Sequence, residues 1–136
     1  MTFVERCLYE YKANVASIGV MTEEIGDLQS VHGQSYEAHT VNGVSDPVCE
    51  VTARIMNLEA KIAKTERKVR PVEKLRSDLS GSDLKQSQMR EVLELKYIGH
   101  ESNRETQRQM SVSEATFWRR KRELLRFANR YFHNEI

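Results

Sequence analysis

Cysteine is scarce in this 136-residue chain, and the stretches that would mark a membrane protein, a metal centre or a nucleotide loop are missing. Cys7 and Cys49 are too few for the disulfide framework of a small secreted domain. Both fall on expected apolar helix faces, where they read as buried small hydrophobes. No apolar run approaches the roughly 20 residues that cross a bilayer. Acidic Glu5 follows close behind Met1, without a signal-peptide pattern, so a cytoplasmic protein is expected. His32, His39, His100 and His133 are scattered, with no HExxH, no CxxC and no glycine-rich phosphate loop. No catalytic set, metal or cofactor is therefore expected. The many Asp and Glu pairs sit on outer helix faces, the ordinary place for solvated charge.

What is present is charge and helical periodicity. Charged residues make up 30% and hydrophobic ones 39%, which suits a solvated helical protein with a modest core. The net charge of +1 conceals an asymmetry. Residues 1–47 hold two basic and seven acidic side chains, whereas 84–136 hold eleven basic and seven acidic ones. An acidic front and a basic back are expected where only the back meets a polyanion.

Val4, Leu8, Tyr11, Val15, Ile18, Ile25 and Leu28, with Thr22 filling the gap, form one apolar seam along a helix of roughly 27 residues. Thr2 suits its N-cap, and Gly19 and Gly26 weaken it. From Gln29 to Asp46 the period disappears, which predicts a loop. Asp46 or Ser45 then caps a second helix with Pro47 at its first position. Val48, Val51, Ile55, Leu58, Ile62, Thr65, Val69 and Val72 alternate steps of 3 and 4 along it. Pro71 is expected to break or kink this helix, with a short continuation through Leu75 and Leu79. The two seams fit an antiparallel hairpin, a dimeric coiled coil, or both. After Ser80-Gly81-Ser82-Asp83, a helix carrying Leu84, Met89, Val92, Leu93, Leu95 and Tyr97 ends at Gly99, a suitable C-cap. The expected fold is all-α: helical hairpin or coiled-coil segments over 1–80, with a helix-turn-helix over 81–136.

The tail reads as helix, tight turn and helix. Ser102 caps a short helix ending near Met110, Ser111-Val112-Ser113 make the turn, and Ser113 caps the last helix with Glu114 in its first turn. In a helix-turn-helix the second helix enters the major groove and presents its N-terminal residues to base edges. Phe117, Leu124 and Ala128 define the inward face of that helix, with Leu125 and Phe132 at its margins. Ser113, Thr116, Trp118, Arg119 and Arg122 fall on the other side. Arginine suits this position because its planar fork bonds guanine O6 and N7 together, or grips a phosphate. Thr116 suits a thymine methyl or a phosphate. Trp118 fits either packing on the sugar-phosphate backbone or half-burial under the hairpin.

The stretch Tyr97–Phe127, with Tyr97 and Gly99, Met110, Val112-Ser113 and Phe117 at matching places, resembles region 4 of bacterial sigma factors and phage late-gene activators of the RinA/ArpU type. The layout of a helical N-terminal region, a loop from Ser35-Tyr36 to Pro47, a long helix and a helix-turn-helix is also similar. Thr106 and Gln107 stand where the family carries an aliphatic residue and Ala or Gly, and Ser111 stands where it carries the turn Gly. The resemblance implies a phage or prophage activator of late genes that binds double-stranded DNA, with RNA polymerase as a further candidate partner; the heptad seams make a second copy of the chain another. By position it implies Ser113, Glu114, Thr116, Trp118, Arg119 and Arg122 as DNA-facing residues, and Arg120, Lys121 and Arg126 as phosphate contacts. Two other classes remain open. One is a phage small terminase subunit, which assembles as a ring. The other is a coiled-coil interaction protein whose basic helix is merely solvated.

Overall fold

Helix formation dominates because apolar residues recur at steps of 3 and 4 and the helix starts carry oxygen-bearing caps. A computed structural model describes residues 1–35 and 47–133, and among these every regular element is helical. The order is α1 (Phe3–Tyr9), α2 (Tyr11–Ser35), α3 (Pro47–Asp78), α4 (Leu84–Val92), a π-helical turn (Leu93–Ile98), α5 (Asn103–Met110) and α6 (Glu114–Tyr131). No helix among the described residues is long and apolar enough to cross a membrane.

By contact the chain separates into two units, Met1–Asn14 with Arg67–Ile136, and Val15–Glu66. The division expected at 80/81 groups the chain differently. The reason is that α1 and the end of α3 contribute to the same core as the tail: Val4, Cys7, Leu8, Val72, Leu75 and Leu79 cluster with Tyr97, Phe117, Leu124 and Phe132. Fully burying such a side chain is worth about 1.5–3 kcal/mol. Arg76 adds a polar tie, meeting both oxygens of Glu94 at 2.7 and 3.1 Å and the Tyr11 hydroxyl at 3.4 Å. These bonds hold its guanidinium above the usual arginine range. In the other unit Ile18, Met21, Ile25 and Leu28 of α2 and Val51, Ile55 and Ile62 of α3 are partly buried, with Leu58 buried outright. Arg54 and Glu24 pair there at 3.4 Å.

Several expectations change. The first helix breaks at Glu10, which restarts the phase of the seam. Asn14 and Met21 are partly buried in α2, while Val15 and Thr22 are exposed. The helix persists through Gly19, Gly26 and Gln29 to Ser35, so the expected loop begins later; positions 36–46, including the Ser45 and Asp46 caps, lie outside the described residues. Pro71 does not break α3, which runs on to Asp78. Its ring is buried at the end of an unbroken seam, and packing along that seam offsets the one backbone bond a proline removes. Cys49 is exposed, unlike Cys7, whose burial pushes its thiol up. Leu84 is exposed as well. Gly99 does end its helix, but at φ −82° rather than in the left-handed region. A Cβ there would come within 2.8 Å of the Leu95 carbonyl oxygen and 2.9 Å of that of Glu94. Glycine is needed for close approach of backbone, and the left-handed residue is His100 at φ 59°.

Candidate nucleic-acid interface

The tail is built from its caps. The Ser102 side chain accepts from the Glu105 amide at 3.0 Å and starts α5. Glu105 turns to Arg108, with one contact at 2.9 Å and a second shorter one, and to Gln109 at 3.0 Å. Together these bonds hold its carboxyl at about 2. Thr106, placed where an aliphatic residue was expected, is fully buried. Its hydroxyl donates to the Ser102 carbonyl at 2.8 Å, so the polar group is satisfied inside its own turn and its methyl joins the packing. Gln107 reaches across to the Val112 carbonyl at 3.4 Å and braces the connection.

Three residues join the helices. Ser111 is the C-cap of α5 in the left-handed conformation, φ 56° and ψ 44°, and Val112 is half-buried. Ser113 starts α6 by accepting from the Thr116 amide at 3.1 Å, while its hydroxyl donates to Thr116 Oγ1 at 2.9 Å. Thr116 thereby keeps its own hydroxyl proton for an outside acceptor.

Helix α6 divides its residues as the 3.6 period requires. Phe117, Leu124, Ala128 and the following Phe132 are at most 1% exposed. The opposite stripe is open: Ala115, Trp118, Arg119, Arg122, Arg126, Asn129 and Arg130 are exposed. The side chains of Arg119, Arg122 and Arg126 make no hydrogen bond or ion pair among the described residues. Arg119 to Arg126 spans about 10 Å of helix axis. Glu114 is exposed in the first turn.

The remaining expected contacts separate by geometry. Arg120 points into the protein, bonded to Gln88 Oε1 at 2.7 Å and Glu123 at 3.0 Å, with 16% of its side chain exposed. It ties α6 to α4 through its Nε, while its Nη1 holds Glu123. Lys121 is half-buried and lies 4.8 Å above the Trp118 ring; burial first, and Lys96 second, pull its ammonium below the usual lysine range. Trp118, with 40% exposed, presents one edge beside Phe117 and carries Lys121 over its face. Two cations escape the sequence reasoning. Arg130 and Lys85 line an open groove of about 460 Å³ with Arg126, Asp83 and Glu123, over Met89 and Phe127, and Lys85 pairs with Glu123 at 3.8 Å. The steps from 119 through 122 and 126 to 130 would have shown Arg130 from the sequence; Lys85 required the packing of α4 on α6. Arg104 is exposed on α5 as well.

Among the described residues no group of three His, Cys, Asp or Glu side chains is gathered as a metal ion would require. No family model, curated protein or solved structure matches this chain.

Proposed function

We propose that the protein is a regulator of transcription that binds double-stranded DNA with α6 in the major groove, and not an enzyme. The observation that carries this reading is the open stripe of α6. Arg119, Arg122 and Arg126 project from the second of two helices joined by a three-residue turn, and none is neutralised within the chain among the described residues. Unpaired arginines along one helix face suit both base edges and phosphates. Arg119 and Arg122 are the base-reading residues, aided by Thr116 and Ser113 near the helix start, where the backbone amides also favour phosphate. Arg126 and Arg130 grip the backbone, Trp118 packs on deoxyribose, and Lys121 supports its ring. Arg120 serves the fold. The likeness of Tyr97–Phe127 to late-gene activators extends the proposal to a phage or prophage protein acting in the bacterial cytoplasm, with RNA polymerase as its second partner.

Fluorescence anisotropy with DNA from the gene's own neighbourhood, a random duplex and a salt titration tests the reading. Tight binding to the local DNA that weakens steeply with salt is expected. No binding to either duplex at low salt would remove the proposal.

A further inference from the structure

Helix α3 carries a second apolar stripe, turned away from the one it packs. Cys49, Ala53, Met56, Ala60 and Ala63 follow at steps of 4, 3, 4 and 3, the heptad spacing of a helix–helix seam. All five are exposed, Met56 at 63%. An outward helix face normally collects charge, so an uncharged stripe of this length calls for cover. The polar side chains stand along its edges instead: Glu50, Asn57 and Lys64 on one side, Thr52, Glu59 and Glu66 on the other.

We infer that this face docks a second copy of the chain, α3 against α3 in antiparallel register about a twofold axis beside Asn57. The charge pattern selects the occupant. Glu50, Asn57 and Lys64 are seven residues apart, and hence share one edge. Antiparallel self-pairing sets Glu50 beside the partner's Lys64 and Lys64 beside the partner's Glu50, with Asn57 meeting its own copy on the axis. Within one chain Glu50 and Lys64 are about 21 Å apart along the helix and cannot meet. Parallel pairing would instead place Arg67, the next position of the stripe, against its own copy in the seam. The antiparallel register leaves one like-charged approach, Glu59 to its own copy, against two attractive pairs. Small residues on the stripe let the helix axes come close, and Met56 fills the space beside the partner's Ala60. This dimer does not depend on the DNA reading.

Sedimentation equilibrium of the full chain, with circular dichroism to monitor helix content, tests it. The wild-type chain should weigh twice 15.8 kDa at micromolar concentration, and Met56→Glu should return it to 15.8 kDa with helix content kept. Ala60→Arg serves the same purpose should Met56→Glu lose helix. Glu50→Lys and Lys64→Glu should each weaken the dimer roughly two- to fivefold for every pair lost, and the double exchange should restore it. Glu59→Gln should tighten it. A wild-type monomer at all concentrations, a ring of eight or more copies, a double exchange that fails to restore, or weakening by Glu59→Gln would each overturn the inference.

Discussion

Ser111 holds the sharpest conformational demand in the tail, and replacing it by glycine isolates that demand. At φ 56° and ψ 44° its Cβ crowds the backbone, a cost of about 1–2 kcal/mol for an L-residue. Its amide bonds the Arg108 carbonyl at 3.2 Å, and glycine preserves that bond. Glycine relieves the crowding but gives the unfolded chain more freedom, which takes back roughly 0.4–1 kcal/mol. The net expectation is a gain of about 0.5–1 kcal/mol. For a unit of this size that raises the melting temperature by roughly 2–8 °C, readable by calorimetry. Ser111→Val should move it the other way, because a β-branched residue tolerates this region worst. DNA affinity at fixed salt should not change, since the substitution leaves the α6 stripe intact. A lower melting point for Ser111→Gly would refute the reasoning and show that the turn adopts another conformation in solution.

Other perturbations separate structural from binding roles. Phe117→Ala should cost about 3–5 kcal/mol, seen as a large drop in denaturation midpoint, because the ring is 1% exposed in the core. Arg119→Ala and Arg122→Ala should leave the melting point alone and weaken specific DNA binding by roughly 1–3 kcal/mol each, read by anisotropy. Arg120→Ala should do the reverse, losing about 0.5–1.5 kcal/mol of stability as Gln88 loses its partner while Glu123 keeps Lys85 at 3.8 Å, with DNA affinity little changed. The Glu105 carboxyl is held at about 2 against an ordinary 4.5, a depressed value, so whatever stability it contributes is present above 4.5 and lost as pH falls towards 2. Acid unfolding followed by circular dichroism should show Glu105→Gln with a shallower decline across that window.

The sequence was most legible where local chemistry decides. Ser102 and Ser113 cap the helices expected of them, and Phe117, Leu124 and Ala128 turn inward, because a cap needs one nearby oxygen and a face needs only the 3.6 period. The seam from Val48 to Val72 was readable for the same reason, each member being at least partly buried. What escaped depended on distant residues. Pro71 stays helical within a buried stretch, the break at Glu10 exchanges Val15 for Asn14 in the partly buried stripe, and Arg120 is drawn inward by Gln88, thirty-two positions away. Thr106 was unreadable for a subtler reason. A polar residue at a core position looks like a defect until its bond to the Ser102 carbonyl is seen.

If the open arginine stripe of α6 reads the major groove as proposed, chemical probing of guanine N7 will show it. Dimethyl sulfate methylates that atom from the major groove, where arginine would bond it. In a duplex bound by the wild-type chain, one or more guanines should be protected, and that protection should be lost in the Arg119→Ala, Arg122→Ala double variant. Binding that leaves every guanine N7 open to reagent, with the double variant unchanged in affinity, would contradict it.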